Sequence, residues 1–185
     1  MLKDSASGYG LVTIILHWVC APLIFFIFGL GVYMRSLDYY SPWYHRGPEL
    51  HIALGLIIFL LMSLRLLWRS RSKSPDPIPT ISKNNLLAAN LVKIMLYLAV
   101  FIICITGYLI TTAEGQGANF FDLFSIPASV HLNAHNVDRA GWIHKYLAWG
   151  LVSIALLHAA AALFHHFIKR DKTLVRMLKP ADKAN

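Results

Sequence analysis

The stretch that decides the fold is Gly141–Ile168, GWIHKYLAWGLVSIALLHAAAALFHHFI, in which Lys145 is the single charged residue. It is longer than the roughly 20 mostly apolar residues that a helix needs to cross a bilayer. It also carries four histidines, His144, His158, His165 and His166. Because a polar side chain inside a membrane is costly and usually functional, the stretch predicts a spanning helix with a functional histidine face.

His144 and His158 are 14 residues apart. At about 100° and about 1.5 Å per residue, both point to one side of a helix and lie roughly 21 Å apart along its axis. Two imidazoles on one face, one near each side of a membrane, are what two stacked haems need from a shared helix. The rest of the chain must then supply two partner ligands at matching depths.

The composition is that of an integral membrane protein. Of the 185 residues, 57% are apolar and 14% are charged, and the mean hydropathy is +0.54, which excludes an ordinary soluble domain. A formal net charge of +8 could suggest a nucleic acid partner. However, the basic residues flank apolar runs, as in cytoplasmic loops, so we expect no nucleic acid. Neither Cys20 nor Cys104 belongs to a CxxCH motif, so covalent haem attachment is not indicated.

Four apolar runs predict an all-α fold, an integral membrane four-helix bundle in a single domain, 1–185. We expect the spans at about 11–34, 50–68, 86–113 and 141–168. The first run is too long for a signal peptide and no small-residue cleavage site follows it, so we interpret it as a spanning helix. Within it, Gly29 and Gly31 would allow close approach of a neighbouring helix or a cofactor.

The distribution of lysine and arginine predicts the orientation. One basic residue precedes the first span, four lie between residues 69 and 85, and six follow Ile168. The opposite loops hold only four, Arg35, Arg46, Arg139 and Lys145. Because cytoplasmic loops carry the excess of positive charge, we expect both termini in the cytoplasm.

This orientation sorts the histidines by depth. His17 at the start of the first span and His158 would both lie toward the cytoplasm. His51 at the start of the second span and His144 would both lie toward the outside. Two pairs follow, His17/His158 and His51/His144, and we interpret them as axial ligands of two haem irons. Bis-histidine coordination fills both axial positions, which favours electron transfer over oxygen binding at the iron.

Two alternatives for the histidines stay open. An intramembrane histidine can be a satisfied polar group that packs between helices. Zinc or another transition metal is the second alternative, although the separation in depth argues against one compact metal site.

Three residues near the four histidines are further candidates. Arg65, 14 residues after His51, would hydrogen-bond an inner haem propionate, or else extend toward the lipid headgroups. Gly55, one turn after His51, would leave room for a flat macrocycle. His165, seven residues beyond His158, could donate a hydrogen bond to a quinone carbonyl, or be an interfacial histidine.

Three basic residues on the opposite side, Arg46, Arg139 and Lys145, lie near the expected outer haem. They could hydrogen-bond that haem or attract a small anion from solution. The alternative is that they are ordinary interfacial charges.

These motifs resemble those of the bacterial cytochrome b561 family, the four-helix dihaem membrane cytochromes that include superoxide oxidase. The matching segments are LHW with His17, PELH with His51, the run from Ile143 to Phe167 with His144 and His158, and a closing Arg170–Leu174 segment. The resemblance spans nearly the whole chain. It implies two noncovalent b-type haems, the same two axial pairs, ubiquinone as a redox partner and a multi-pass location in the bacterial inner membrane. For the superoxide oxidase members, it implies that external superoxide gives electrons to quinone through both haems.

Three functions follow as hypotheses. The first is a dihaem cytochrome that transfers electrons between the periplasmic side and the quinone pool, with superoxide:ubiquinone oxidoreductase as its enzymatic form. The second is a cytochrome b anchor subunit that relays electrons from a periplasmic redox protein. The third is a histidine-lined ion or metal transporter without haem, which a single optical spectrum would separate from the other two.

Overall fold

The computed structural model describes residues 1–181 and contains four long helices. They are α1 Leu11–Met34, α2 Trp43–Arg71, α3 Lys83–Thr111 and α4 Ala134–Phe167, and a short antiparallel pair, β1 Ala118–Phe120 and β2 Phe124–Ile126, lies between the last two. A 3-10 turn, Val175–Met177, follows α4. All four helices are long and apolar enough to cross a membrane. The predicted all-α fold, a four-helix transmembrane bundle, is therefore confirmed.

Three helices differ in extent from the expected spans. The first coincides with residues 11–34, but α2 begins at Trp43 and α4 at Ala134, several residues before the apolar runs begin. The third runs from Lys83 to Thr111 rather than over 86–113. Hydropathy marks only the part of a helix inside the hydrocarbon, whereas backbone hydrogen bonds continue into the polar interface. Lys183, which contributed to the predicted orientation, lies outside the described residues.

Many large apolar side chains of the helices are exposed, and small residues are among those that are completely buried. Leu157 is 70% exposed and Leu60 59%, whereas Cys20 and Ala53 are completely buried. Small buried residues let helix backbones approach closely in a bilayer, where lipid tails are as apolar as leucine. The exposed leucines are therefore the lipid-contacting surface of the protein.

The chain divides into two compact units, and the boundaries fall within all four helices. The first unit comprises Met1–Ala21, Leu61–Leu96 and Ser153–Asn185, of which residues 153–181 are described. The second comprises Pro22–Leu60 and Tyr97–Val152.

The first unit joins the N-terminal segment to the segment after α4. The amino nitrogen of Met1 donates to the carbonyl of Ala181 at 3.1 Å, and the backbone N–H of Ala181 donates to Tyr9 at 2.9 Å. The indole N–H of Trp18 donates to the carbonyl of Met177 at 2.7 Å. These bonds satisfy backbone groups that no helix or sheet would otherwise pair, and they hold the two segments against α1.

In the second unit, one tyrosine fixes the segment after the β1–β2 hairpin. The hydroxyl of Tyr108 on α3 donates to the carbonyl of Pro127 at 2.6 Å and accepts from the backbone N–H of Ser129 at 2.9 Å. The hairpin turn places Phe121 and Asp122 at positive φ. The loop before α4 is thus an ordered part of the second unit.

Candidate functional site

The second unit brings His51 of α2 and His144 of α4 together. Their ring centres are 6.2 Å apart and the rings are inclined at 60°. Imidazole nitrogens bind first-row metals at about 2.0–2.1 Å, so two rings that hold one metal ion between them have centres roughly 6 Å apart. The observed spacing therefore fits a single iron bound axially from both sides.

His144 has the tautomer that a metal ligand needs. Its Nδ1 lies 2.9 Å from the carbonyl oxygen of Ile103 on α3. A carbonyl can only accept, so Nδ1 carries the proton and Nε2 keeps a free lone pair. The hydroxyl oxygen of Thr106 lies 3.3 Å from the same Nδ1.

His51 is placed like His144, but its ring is less well hydrogen-bonded. Its Nδ1 is buried and makes no hydrogen bond of standard geometry to any residue that the structure describes, although the carbonyl of Ile27 on α1 faces it. A polar ring buried in this way is costly unless a ligand or a partner compensates it.

Two glycines make room for the two rings. A Cβ added at Gly31 would lie 3.0 Å from Cε1 of His51, and one added at Gly107 would lie 3.0 Å from Cε1 of His144. Any larger residue would press on the imidazole. The close approach expected at Gly31 is therefore present, whereas an added Cβ at Gly29 would meet no described atom within 4 Å.

Gly55, the candidate for macrocycle contact, borders open space. A Cβ added there would meet no heavy atom of residues 1–181 within 4 Å, and its carbonyl accepts from the thiol of Cys104 at 3.8 Å. The protein therefore leaves room beside Gly55, and its role toward a haem stays a prediction.

The first unit gathers one polar side chain from each helix. Nη2 of Arg65 on α2 lies 3.0 Å from Nδ1 of His17 on α1. His158 of α4 lies within electrostatic range of His17, of Arg65 and of Lys93 on α3. Because a guanidinium only donates, Nδ1 of His17 accepts this bond, which leaves the proton of a neutral His17 ring on Nε2, the opposite tautomer to that of His144. Arg65 must therefore release Nδ1 before Nε2 of His17 can bind an iron. Two cations beside two imidazoles favour a group that carries negative substituents, as haem propionates do.

His165 pairs with an acidic residue just after α4. Its Nδ1 contacts the carboxylate of Asp171, whose side chain is 8% exposed. Burial raises the pKa of Asp171, but hydrogen bonds from Thr173 and His165 outweigh it and leave that pKa below its ordinary value. The pair holds the imidazole at a fixed orientation, and its role toward a quinone stays a prediction.

The three basic residues expected near the outer haem all belong to the second unit and are exposed. The ammonium of Lys145 lies 5.1 Å from the ring centre of Tyr146. Within the described part of the chain, no contact ties Arg46 or Arg139 to the two histidines, so the attraction of an anion stays a prediction.

The sequence reasoning missed the contribution of α3, which carries no histidine. Ile103, Thr106 and Gly107 all contact His144. The signal in the sequence was the Thr106–Gly107 step, a hydroxyl and a missing side chain side by side in an apolar run. Lys93, which approaches His158, was visible in the same span as an isolated charge.

Among residues 1–181, no group of three or more histidine, cysteine or acidic side chains is arranged to hold a metal ion. A haem takes only two axial side chains because the porphyrin supplies the other ligands. A pair of imidazoles is therefore the arrangement that a haem needs from the protein, and the pair in the second unit provides it.

Comparison with known proteins identifies the family of this chain. The family model described as prokaryotic cytochrome b561 matches residues 8–180. Cytochrome b561 homolog 2 of Escherichia coli K12 is 41% identical over 175 residues, covering 95% of this chain and 93% of the relative. "Probable superoxide oxidase CybB" of Yersinia pestis is 29% identical over 174 residues, covering 92% and 95%. Cytochrome b562 of Cereibacter sphaeroides is 29% identical over 177 residues, covering 94% and 96%.

The predicted resemblance is thereby confirmed, because the family model extends over almost the whole chain. Four membrane-crossing helices and bacterial relatives make this a multi-pass bacterial membrane protein. The chain belongs to the prokaryotic cytochrome b561 family, and this membership implies that it is a membrane cytochrome that binds b-type haem.

Proposed function

We propose that this protein is a dihaem cytochrome that transfers electrons between the periplasmic side of the inner membrane and the quinone pool. The axial pairs are His51/His144 and His17/His158. The observation that carries the proposal is the 6.2 Å spacing of the His51 and His144 rings, together with the free Nε2 that the Ile103 carbonyl imposes on His144.

When bound, each haem supplies a one-electron couple at its iron. The side chains of this protein hold and orient that group. Gly31 lets the ring of His51 pack against α1, and Gly107 lets the ring of His144 pack against α3. The carbonyl of Ile103 fixes the proton of His144 on Nδ1. In the first unit, Arg65 and Lys93 supply positive charge beside His17 and His158.

The orientation with both termini in the cytoplasm belongs to the same proposal and rests on the excess of basic residues on one side. His51 and His144 then face the periplasm. Superoxide is the proposed donor because one relative is named a probable superoxide oxidase. The segments on that side hold four basic and five acidic residues, so attraction of the anion would depend on Arg46, Arg139 and Lys145 themselves and not on the net charge of that side.

Ubiquinone is the proposed acceptor, with His165 as its hydrogen-bond donor. Reduction of a quinone to a quinol consumes two electrons and two protons. His165 is held by Asp171 through Nδ1, which fixes the ring beside the end of α4 and leaves Nε2 as the nitrogen that would face a quinone. Replacement of His165 by alanine should slow quinone reduction without loss of either haem.

A haem titration tests the cofactor assignment. The purified protein should show a reduced b-type spectrum and two haems per chain. His51→Ala and His17→Ala should each retain one haem, and the control His135→Ala, at an exposed position outside both pairs, should retain two. A colourless protein from haem-supplied cells would refute the proposal.

A stopped-flow measurement tests the donor. In liposomes that contain ubiquinone, superoxide should reduce the haems faster than buffer alone and quinol should accumulate. Haem reduction only after addition of a periplasmic redox protein would instead favour an anchor subunit, and superoxide would then be the wrong donor.

A further inference from the structure

Each histidine of the pair in the second unit packs against the same backbone arrangement, a helix carbonyl followed four residues later by a glycine. On α1, the carbonyl of Ile27 faces His51 and Gly31 follows four residues later. On α3, the carbonyl of Ile103 faces His144, and Gly107 likewise follows four residues later. In a helix, residues four apart lie on one face, so each carbonyl and its glycine form one recess for an imidazole.

The two recesses differ in the residue that precedes the glycine. It is Leu30 on α1 and Thr106 on α3, and both are buried, at 8% and 7% exposure. The recess on α3 therefore has a hydroxyl where the recess on α1 has only carbon. His144, beside the hydroxyl, makes a hydrogen bond of standard geometry to a carbonyl. His51 makes no such bond among the described contacts.

The direction of the hydrogen bonds around Thr106 follows from counting protons. Its hydroxyl has one proton, and two carbonyls of its own helix lie within reach as acceptors, Ile102 at 2.8 Å and Ile103 at 3.0 Å. With that proton committed, a lone pair of the Thr106 oxygen is left toward Nδ1–H of His144 at 3.3 Å. The Nδ1–H bond of His144 is thus shared between two acceptors, Ile103 and Thr106.

We propose that Thr106 is a positioning residue that makes His144 the more electron-donating of the two imidazoles in its pair. Acceptors on the outer nitrogen of an imidazole fix the tautomer and raise the basicity of the metal-binding nitrogen. A more basic axial ligand stabilises ferric iron and lowers the reduction potential. This inference rests on the proposed haem between His51 and His144, and it assigns part of the tuning of that haem's potential to one hydroxyl.

The test is Thr106→Val, which keeps the shape of the side chain and removes the oxygen. In a redox titration of the haem-loaded protein, one of the two steps should move to higher potential while the other stays unchanged. Thr106→Ser restores the hydroxyl and should restore the original potential. Thr112→Val, a control at a buried threonine whose hydroxyl donates to the carbonyl of Tyr108 and makes no described contact with either histidine pair, should leave both potentials unchanged.

A second readout does not require haem. In protein prepared without haem and labelled with nitrogen-15 histidine, Nδ1–H of His144 should give a downfield proton resonance. Thr106→Val should move it upfield and Thr106→Ser should not. The absence of haem from the wild type would refute the proposed function, whereas haem with unchanged potentials in Thr106→Val would refute this inference alone. An unmoved Nδ1–H resonance in Thr106→Val would also overturn it.

Discussion

The two histidine pairs lie in opposite chemical surroundings. The pair in the first unit, His17 and His158, has a guanidinium and an ammonium beside it. The pair in the second unit, His51 and His144, has backbone carbonyls and glycines beside it. One protein therefore tunes one pair with charged side chains and the other with main-chain dipoles.

The difference predicts unequal potentials for the two proposed haems. A nearby cation favours the reduced, less positive form of an iron site, whereas an acceptor on the imidazole favours the oxidised form. We therefore expect the haem of the first unit to have the higher potential. Electrons that arrive at the second unit would then move energetically downhill to the first.

The largest effect should come from filling a glycine recess. Gly107→Ala and Gly31→Ala each place a Cβ about 3.0 Å from an imidazole carbon, which forces a shift that costs about 1–3 kcal/mol. Each variant should lose the haem of the second unit or shift its spectrum. Gly29→Ala is the matched control and should keep both haems, because Gly29 lies about 200° around the helix from Gly31 and an added Cβ there meets no described atom within 4 Å.

Gly55 sharpens the same comparison. The protein atoms leave room for a methyl group there, so Gly55→Ala should fold normally. If a haem lies against this helix face, the variant should nevertheless bind less haem in the second unit. Haem content equal to that of the wild type would remove Gly55 from the site.

Removal of the guanidinium should lower the potential in the first unit. Arg65→Leu takes away a cation 3.0 Å from His17, and we expect a fall on the order of 60 mV, one factor of ten in a one-electron equilibrium. Arg65→Lys keeps the charge and should shift the potential less. An unchanged potential in Arg65→Leu would contradict the claim that charged side chains set the potential in the first unit.

Lys93→Met should change the same potential in the same direction by a smaller amount. Its ammonium acts on His158 through its electric field, whereas Arg65 is in direct contact with His17. The measurement is the same redox titration, and a larger shift in Lys93→Met than in Arg65→Leu would reverse the assigned order.

The smallest effect concerns pH and stability at the end of α4. The pKa of Asp171 is below its ordinary value. Its ionised form therefore stabilises the fold fully when the pH is above the ordinary pKa, and this stabilisation is lost as the pH falls through the lowered pKa. Asp171→Asn should cost about 1 kcal/mol at neutral pH. Thermal unfolding in detergent should show the two proteins converging below about pH 3.9. A difference that stays constant down to about pH 2 would show that the charge of Asp171 is not what stabilises this end of the helix.

The sequence predicted the four helices because apolar length is a local pattern. The spacing of the histidines led to the two pairs, which stay a prediction as haem ligands. The sequence did not predict the recess on α3, since Thr106 and Gly107 acquire a role only when His144 reaches them from another helix. Arg65 shows the same limit. Its spacing indicated the correct helix face, but its contact with His17 depends on how α1 and α2 pack.

The hydrogen bond between Met1 and Ala181 has a consequence for the order of assembly. The first unit needs residues from both ends of the described chain, whereas the second needs none beyond Val152. A ribosome adds roughly 5–20 residues per second, so the second unit is complete some seconds before the first. Every residue that contacts the rings of His51 and His144 is therefore synthesised before His158, the second member of the other pair.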